Sequence, residues 1–492
     1  MYTCENCMEN FAVIPFHVSI ILYFQIKGGN QMRKYLVLLL VVGAMFLGLA
    51  ACGRDGDAGG AEGVPRVEMM FWGGLEEHNA MLDVIADFNA QNEGRVYVFP
   101  HHVPADFGAV MNTRLAANDP PCIAYTSAGA FYTMASEGHY FAIDNLLPQG
   151  FLDTVVHDAV WRYDGRIYGL STAQVNLILF YNADIFNELG VERPPHRFED
   201  ALNWDQWINL LQRVTIDRNG NNALHPDFNP NQVSIFGFNS GPWLNNFLLF
   251  AYSNGARLVT ADGTNTDFDS PEWIDTFYKI NRKIHYYRVM ATPAEIEGFP
   301  ENALMNQAFA TTVDGRWSML GLAEMDFELG CAVMPDLGHG AFTMSPPGVT
   351  SMFNGVEHPE LAWEFWEFKM DVENGATVLY AGGLWQPIVH DPWYTDPAAL
   401  AVWTDNDAHP ASFQSAVLDM ALRPSQVAPL PASYIRRIGE YMNFVTPALQ
   451  NILEVPMTRE QVGDVLRELQ QTINENEAFH GIYNPVNVLP RR

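Results

Sequence analysis

Residues 64–103 contain the pattern that most limits the fold of this chain. The stretch VPRVEMMFW predicts a strand, two glycines end it, and Met81, Ile85 and Phe88 follow at helical spacing. Gly94 ends that helix, and RVYVFPHHV predicts a second strand. A strand, a helix and a strand of these lengths form a βαβ unit, which implies a parallel or mixed sheet covered by helices. We therefore predict an α/β protein.

Three later stretches repeat their apolar residues at the spacing of one helical face. They are NWDQWINLLQRVT, PELAWEFWEFKM and REQVGDVLRELQQTINENE. The apolar positions are Trp207, Leu210, Leu211, Val214, Leu361, Phe365, Phe368, Val462, Leu466, Leu469 and Ile473. The tryptophans of these helices are therefore predicted to be core residues rather than ligand contacts.

The N-terminal region predicts export and lipid anchoring. Arg33 and Lys34 precede an apolar run, Tyr35 to Gly48, that is shorter than the about 20 residues needed to span a bilayer. A basic start, a short apolar centre and small residues at its exit are typical of a secretory signal. The exit, Leu-Ala-Ala-Cys, resembles the lipobox of bacterial lipoproteins and predicts that Cys52 is the lipidated first residue of the mature protein. An ordinary secretory signal with an incidental cysteine is the alternative.

The segments on either side of this signal have different predicted roles. Residues 32–51 form the signal peptide, and residues 1–31 are interpreted as an upstream extension from a start codon assigned too early, with translation beginning at Met32. Residues 52–63 are glycine-rich and acidic with almost no apolar side chains. Such a segment cannot bury enough surface to order itself, so it predicts a flexible tether.

The charge of the chain excludes two classes of partner. The 492 residues include 27 basic and 57 acidic side chains, for a net charge of −30. Removing residues 1–51, which hold three basic and two acidic residues, makes this charge one unit more negative. Nucleic acid and anionic lipid surfaces require a basic protein surface, so neither is expected as a partner. The remaining chain of about 440 residues exceeds one compact core and predicts two domains.

Only Cys122 and Cys331 follow the predicted signal and its lipidated cysteine. They could pair as a disulfide, or each could be a buried apolar residue, as free cysteine often is. Both alternatives remain open at this stage.

The aromatic content suggests a class of ligand. Twelve tryptophans and nineteen tyrosines are more than a core of this size requires. Aromatic faces stack on the C–H faces of sugar rings, while carboxylates and amides bind sugar hydroxyls. An acidic, aromatic-rich chain is therefore compatible with a carbohydrate site.

Several blocks of the sequence occur in the order found in one known family. FYNADIFNELGVERPP followed by NWDQWINLLQRVTID, then TVDGRWSML, NGVEHPELAWEFWEFKM and YAGGLWQPI, resemble the ordered motifs of family 1 of the extracellular solute-binding proteins. The resemblance runs from about Val64 to the C-terminal helix. Each block is a loose pattern by itself, but the ordered set behind a lipobox is specific.

The resemblance implies a periplasmic-binding-protein fold of type II, in which two α/β lobes are joined by a hinge and close on a ligand in the cleft between them. By analogy with maltose-binding relatives, the chain crosses before FYNADIF, near AVMPDLG and after about residue 425. Lobe I is then predicted to comprise residues 64–173 and 336–425, and lobe II residues 174–335 and 426–492.

The resemblance also implies a function without catalysis. A member of this family captures a carbohydrate, here an oligosaccharide, and delivers it to the permease subunits of an ABC importer. We expect a monomer without cofactor or required metal, held on the extracytoplasmic face of the cell membrane by its lipid anchor.

Ligand contacts are expected where loops follow the carboxyl ends of strands, because ligands of open α/β folds sit in that crevice. Loop tryptophans outside any helical stripe are the preferred stacking residues, and carboxylates after the first strand could accept hydroxyls or simply favour the helix dipole. The remaining candidates follow from the family alignment. The full set is Trp72, Glu76, Glu77, Phe131, Asn176, Trp243, Asp314, Trp317, Trp385 and Tyr434.

A weaker candidate site is the turn TIDRNGNNALHPD. Asp217, Asn219 and Asn221 alternate around Gly220, and oxygen ligands at every second position resemble a calcium loop. The glycine and glutamate of the EF-hand pattern are absent at the expected positions. A polar turn between a helix and a strand explains the pattern equally well.

Two departures from the family pattern concern specificity and docking. The segment TSAGAF is neutral where maltose-binding relatives carry polar and charged contacts. The segment IVHDPWYTDPAALAVWTDNDAHP is longer than the minimal pattern and could be a lobe decoration or a partner surface. The alternatives in function are a secreted glycoside hydrolase that uses paired carboxylates, and a sugar-binding sensor or adhesin lipoprotein without a transporter.

Overall fold

The structure is a computed structural model, and it describes residues 63–155, 159–241, 243–296, 303–345, 348–371, 379–380, 385–481 and 483. The predicted upstream extension, the signal peptide and Cys52 lie outside the described residues. No helix of the described part is long and apolar enough to cross a membrane.

Fourteen strands are found in the described residues. They are β1 (Arg66–Phe71), β2 (Tyr97–His102), β3 (Ile123–Ser127), β4 (Val160–Tyr163), β5 (Arg166–Ser171), β6 (Leu177–Asn182), β7 (Ile216–Asp217), β8 (Val233–Ile235), β9 (Asn239–Ser240), β10 (Thr311–Gly315), β11 (Leu329–Ala332), β12 (Thr343–Met344), β13 (Gly348–Met352) and β14 (Val427–Ala428). They form two principal sheets and two short two-stranded pairs.

The larger sheet has the order β2-β1-β3-β13-β5-β4 and is mixed. Strand β1 pairs in parallel with both β2 and β3, whereas β13 is antiparallel to β3 and β5. Strands β1 and β2 are therefore the parallel neighbours that the βαβ pattern predicts, and the prediction of an α/β fold is confirmed.

The smaller sheet has the order β11-β6-β10-β9. Strand β6 is antiparallel to β10 and β11, and β9 runs parallel to β10. Because β9 and β10 are parallel neighbours, their carboxyl ends and the loops that follow them lie at the same edge of this sheet.

The longer helices are α1 (Leu75–Gln91), α2 (Phe107–Ala116), α3 (Ala128–Ser136), α4 (Ala183–Glu188), α5 (Trp204–Val214), α6 (Leu244–Ser253), α7 (Pro271–His285), α8 (Pro359–Met370), α9 (Pro397–Thr404), α10 (Ile438–Glu454) and α11 (Arg459–Glu475). Shorter α-helical turns are Phe151–Thr154, Pro293–Ile296, Met319–Ala323, Asp419–Ala421 and Pro431–Tyr434. Other turns are 3₁₀ (Phe198–Asp200, Ala303–Asn306, Arg316–Ser318, Pro424–Gln426, Glu477–Phe479) or π (Gln414–Leu418).

The helices begin where the sequence supplies caps. Asn203 before α5 and Thr458 before α11 each form a capping box with the glutamine three residues later. Proline occupies the first turn of α7, α8 and α9, where its missing N–H is not needed. The apolar stripes of α5 and α11 are buried along their whole length, as the spacing predicts.

Buried side chains form two large clusters, each built mainly on one sheet. One cluster contains Val67, Phe71, Tyr125 and Trp366 around the larger sheet. The other contains Leu211 together with residues of α6, α7, α10 and α11 around the smaller sheet. Trp207, Trp363 and Trp366 belong to these clusters, which confirms that they are core residues, whereas Trp204 is partly buried and packs against one of them.

The connections between the two sheets are hydrogen-bonded to one another. Residues 172–176 join β5 to β6, and residues 333–345 leave β11 on the way to β13. Strand β12, within the second connection, pairs in parallel with β14. The hydroxyl of Thr343 donates to the carbonyl of Leu177 over 2.9 Å, so the connections meet at the start of β6.

Part of the segment 336–425, predicted as lobe I, lies against the half that holds the smaller sheet. Ser412 accepts a hydrogen bond of 3.0 Å from the backbone N–H of Cys331 on β11. Met420 packs with Val333, and the guanidinium of Arg423 lies 2.6 Å from the carboxylate of Glu199. Strand β11 is an edge strand, and this segment covers its open side.

Candidate ligand-binding site

Two exposed tryptophans lie at the edge of the smaller sheet where β9 and β10 end. Trp243 precedes α6, and Trp317 lies in the 3₁₀ turn after β10. Their side chains are 41% and 44% exposed, which is unusual for residues of this size. The ring centroids are 6.4 Å apart and the planes are inclined by 57°. The parallel pairing of β9 and β10 thus brings together two predicted stacking residues that are far apart in sequence.

The turn that carries Trp317 is built by Asp314 and Gly315. The carboxylate of Asp314 accepts hydrogen bonds from the N–H of Gly315 (2.7 Å) and the hydroxyl of Ser318 (2.5 Å). The indole of Trp317 folds back over Gly315. The ring lies so close that a Cβ added to Gly315 would be only 2.2 Å from it. Asp314 is therefore a half-buried residue that closes the turn, and Gly315 is the residue that leaves room for the indole.

Asn176 connects this turn to the first segment between the sheets. Its carbonyl accepts from the N–H of Arg316 over 3.2 Å, and its side-chain amide donates to Thr343 over 3.4 Å. The side chain is buried, and its Oδ1 has no hydrogen-bond partner among the described residues. A buried amide oxygen of this kind is a free acceptor beside the turn of Trp317.

On the larger sheet, Trp72 follows β1 as predicted. Its half-buried ring makes edge contacts with Phe107 (centroids 4.9 Å apart) and Tyr125 (5.2 Å). Gly73 has a φ of +135°, in the region that favours glycine. A Cβ there would also lie 2.3 Å from a carboxylate oxygen of Glu77, so the loop needs glycine for two reasons.

The two acidic residues after this loop differ in environment. Glu76 is exposed, whereas the half-buried Glu77 folds its carboxylate against Gly73 and inward toward Tyr125. Burial raises the pKa of Glu77 to about 7, and the opposing charge of Lys369 limits the rise. Glu76 is therefore the carboxylate available at the surface, while Glu77 supports the loop from beneath.

Lys369 is a buried cation that the sequence analysis did not identify as part of the site. It lies on α8, with its ammonium 5.0 Å from the ring centroid of Trp385 and 5.5 Å from that of Tyr125. Burial lowers its pKa to about 7, and the carboxylate of Glu77 opposes this. Its position four residues after Phe365, on the buried stripe of α8, was the available signal.

Two predicted contacts have no surface to offer a ligand in this conformation. Phe131 is fully buried, with the rings of Tyr132, Tyr140 and Trp161 at 5.2 to 5.3 Å. Trp385 is 5% exposed and packs near Tyr125, with centroids 6.1 Å apart. Both are core residues here, because they are buried and aromatic side chains from other elements pack against them.

Tyr434 lies at the end of the helical turn Pro431–Tyr434, and its side chain is outside what the structure describes.

The calcium candidate is organised as a polar turn. The carboxylate of Asp217 accepts from the backbone N–H groups of Asn219, Asn221 and Asn229 over 2.8 to 2.9 Å. Burial alone would raise the pKa of Asp217, but these donors outweigh it and lower the pKa. N–H groups surround the carboxylate where a cation would need oxygen ligands, which favours the turn interpretation. In the described part of the chain, no group of three or more acidic, histidine or cysteine side chains could hold a metal ion.

Cys122 and Cys331 are free thiols, so the disulfide alternative is not realised. Cys331 is fully buried on β11, and Cys122, just before β3, is partly buried. Cys331 is part of the smaller sheet, whereas Cys122 adjoins a strand of the larger sheet.

A cavity of about 1240 Å³ lies beside β11, at the edge of the smaller sheet opposite β9. It is bordered by Tyr181, Pro195, Arg213 and Ser412, and none of the predicted ligand contacts lines it.

Several solved structures share the fold of this protein. An ABC substrate-binding protein from Listeria monocytogenes in complex with cycloalternan aligns with a TM-score of 0.70 at 18% identity, over 84% of this chain and 100% of that one. A maltose/maltodextrin-binding domain from Bdellovibrio bacteriovorus bound to maltotriose aligns with a TM-score of 0.64 at 14% identity, over 83% and 99%. A cyclic α-maltosyl-1,6-maltose binding protein from Arthrobacter globiformis gives 0.65 at 18% identity, over 84% and 100%. The fold is therefore that of the two-lobed type II binding proteins.

The profile of the bacterial extracellular solute-binding protein family matches residues 76–368, more than half of the chain. The chain belongs to this family, and the resemblance inferred from its motifs is confirmed. Family membership implies a location outside the cytoplasm, and the family consists of binding proteins rather than enzymes. No curated protein sequence matches the chain. Hereafter lobe I denotes the half with the larger sheet and lobe II the half with the smaller sheet.

Proposed function

We propose that the protein captures an oligosaccharide outside the cytoplasm and delivers it to the permease subunits of an ABC importer. The observation that carries the proposal is the exposed pair Trp243 and Trp317 at the carboxyl edge of the smaller sheet. Two inclined aromatic faces 6.4 Å apart suit two neighbouring sugar rings, each stacked through its apolar C–H face.

Polar groups of the two lobes can bind the hydroxyls that stacking leaves exposed. Glu76 offers an exposed carboxylate on the loop after β1, and Asn176, whose amide oxygen is buried in this conformation, lies beside the turn of Trp317. A site that combines apolar faces with a few fixed polar groups is typical of small-molecule recognition. The structural relatives bound to cycloalternan and to maltotriose support this class of ligand.

The test is a thermal-shift screen followed by calorimetry. A ligand that binds only the folded state at one hundred times its Kd stabilises it by about 2.7 kcal/mol, which is readily measured as a rise in Tm. Maltotriose, mannotriose and cycloalternan are the first probes because they occur in related structures. If a wide panel of oligosaccharides leaves Tm unchanged while amino acids or peptides raise it, the carbohydrate assignment is wrong.

The anchoring of the protein is a separate part of the proposal. We infer that Cys52 carries a diacylglyceryl group, that residues 52–63 tether the folded body to the membrane, and that the body is a monomer. The Cys52→Ala variant should leave the membrane fraction or fail to mature. A wild-type protein that is soluble and carries no acyl group would contradict lipid anchoring without affecting the ligand assignment.

The alternatives make different predictions for simple experiments. A glycoside hydrolase would release shorter sugars during prolonged incubation with a bound oligosaccharide, whereas a binding protein returns it intact. A sensor or adhesin would lack permease genes beside its own gene. Cleavage products, or the absence of a transporter that uses the protein, would favour these alternatives.

A further inference from the structure

Residues 391–426, here called the strap, contact both lobes. In the first half of the strap, Trp393 donates to the carbonyl of Met370 at the end of α8 over 3.3 Å and makes an edge contact with Tyr380. In the second half, Ser412 covers β11 of lobe II. The strap includes most of the segment that exceeds the minimal family pattern, and the proposed function assigns it no role.

The strap encloses Arg316, the residue directly before Trp317. Arg316 is fully buried, and its guanidinium lies 5.7 Å from the ring of Trp403 and 5.6 Å from that of Phe413, both in the strap. Within the described residues no carboxylate forms an ion pair with it, and its Nε and Nη1 have no hydrogen-bond partner. Burying a guanidinium costs free energy of desolvation. The few polar contacts that Arg316 keeps therefore largely determine where its side chain lies.

The guanidinium of Arg316 forms a hydrogen bond with His409 of the strap, and His409 is the acceptor. The Nη2 of Arg316 lies 2.9 Å from Nε2 of His409, and Nδ1 of the same imidazole lies 3.0 Å from the carbonyl of Thr404. Arginine only donates, and a carbonyl only accepts. His409 must therefore be neutral, with its proton on Nδ1 and its Nε2 accepting from Arg316. The ring is also stacked on Phe413 at 3.7 Å.

Arg316 and Trp317 belong to one short 3₁₀ turn, Arg316–Ser318. The backbone N–H of Arg316 donates to Asn176, and the indole of Trp317 lies over Gly315. Two consecutive residues of a tight turn share the intervening peptide plane. Holding the Arg316 side chain in place restrains the backbone torsions of Arg316. Its ψ angle sets the orientation of the peptide that leads to Trp317, and therefore the direction in which Trp317 leaves the turn.

We propose that the strap sets the position of Trp317 through the hydrogen bond between His409 and Arg316. His409 is then a positioning residue for the ligand site, supplied by the segment that this chain has beyond the family's minimal pattern. This inference rests on the proposed function for its biological meaning, but its structural content does not depend on which ligand is bound.

The test observes Trp317 directly and without ligand. The protein is labelled with 5-fluorotryptophan, and the ¹⁹F resonance of Trp317 is assigned by its loss in Trp317→Phe. His409→Phe keeps an aromatic ring on Phe413 but removes the acceptor for Arg316. We expect this variant to shift or broaden the Trp317 resonance. Where a sugar has been identified by the screen, the Kd should weaken about tenfold.

His196→Ala is the matched control. It removes another hydrogen bond between lobe II and the strap, the 2.6 Å contact of His196 with Ser415, which does not involve the turn of Trp317. This variant should leave the Trp317 resonance in place. A Trp317 resonance that responds equally to both variants would mean that it reports general loosening of the strap, and would overturn the proposal.

A second variant covers the case in which His409→Phe does not fold. Combining His409→Phe with Arg316→Met removes both partners of this hydrogen bond, so no buried guanidinium is left without its acceptor and only the carbonyl of Thr404, at the end of α9, loses a donor. The protein should therefore fold. Its Trp317 resonance should still differ from that of the wild type. A resonance at the wild-type position in a folded variant of either kind would refute the positioning role, whether or not any sugar binds.

Discussion

The indole rings of Trp243 and Trp317 lie with their centroids 6.4 Å apart and their planes inclined by 57°. Each ring follows one of two parallel neighbouring strands, so the pair is a consequence of the topology of the smaller sheet. Exposed tryptophans that meet at the carboxyl edge of a sheet in this fold are most simply explained by a ligand that stacks on them.

The first prediction concerns Trp317. Replacing it with alanine should weaken oligosaccharide binding about 30-fold, equivalent to about 2 kcal/mol, because a central aromatic anchor is lost. Trp317→Phe should weaken oligosaccharide binding less than Trp317→Ala does. Stability should fall by less than the about 3–5 kcal/mol typical of a core aromatic, since the side chain is 44% exposed. Calorimetry and thermal melting on the same samples measure both quantities.

The control for that prediction is Tyr286→Ala, which removes a 70% exposed aromatic ring just after α7. It should bind like the wild type. If Trp317→Ala instead melts several degrees lower and binds with unchanged affinity, Trp317 is a structural residue.

The second prediction concerns Gly315. Its φ is −82°, so alanine fits the backbone, but the new Cβ would lie 2.2 Å from the indole of Trp317. Gly315→Ala should displace that indole and weaken oligosaccharide binding about tenfold or more. Gly439→Ala is the matched control, because a Cβ there meets nothing within 4 Å. Equal affinities for the two variants in calorimetry would show that the ring position over Gly315 is unimportant.

The third prediction concerns pH and Glu77. Its folded pKa is raised to about 7, above its ordinary value of 4.5, so between these pH values the folded protein binds more protons than the unfolded chain. The free energy of unfolding contributed by Glu77 is present at low pH and is lost as pH rises toward 7, with a slope of at most about 1.4 kcal/mol per pH unit.

Urea unfolding of Glu77→Gln between pH 5 and 7 measures this contribution. The Glu77→Gln variant should lose that part of the pH dependence. The Glu76→Gln variant, changed at the exposed neighbouring residue, should keep it. Lys369→Met removes the cation that limits the pKa rise, so its pH-dependent window should extend above pH 7. Identical pH profiles for Glu77→Gln and the wild type would contradict the assignment of a buried carboxyl.

The fourth prediction concerns lobe closure. A ligand that contacts both lobes can do so only in the closed state, so binding should shift the protein toward a more compact form. Small-angle scattering at saturation with a confirmed oligosaccharide should give a smaller radius of gyration than without it. An unchanged radius, together with unchanged hydrogen exchange of the segments around β12 and β14, would argue against closure.

Local sequence patterns predicted the elements that depend on local chemistry. The buried stripes of α5 and α11, the capping residue Asn203 and the βαβ unit at the start of the folded body could all be identified, because spacing and caps act within a few residues. The two loop tryptophans at positions 243 and 317 were also recognisable, since neither fits a helical stripe.

Burial by distant segments could not be predicted in the same way. Phe131 and Trp385 were expected at the ligand, yet side chains from other elements pack against them, and no local pattern encodes such packing. The role of His409 depends on a contact 93 residues away in sequence, with Arg316. Lys369 was also missed, but in its case a local signal existed, because a charged residue on an apolar helical stripe can be recognised from the sequence.

The short pairing of β12 with β14 has a consequence for any motion between the lobes. Thr343–Met344 lies in the connection after β11, Val427–Ala428 lies where the third connection between the lobes is predicted, and their backbones are bonded side by side. One connection cannot change its φ and ψ angles substantially without carrying the other with it. Opening would then be a rotation about one common axis, and ligands of different length would be accommodated by the angle of that rotation rather than by independent movement of each connection.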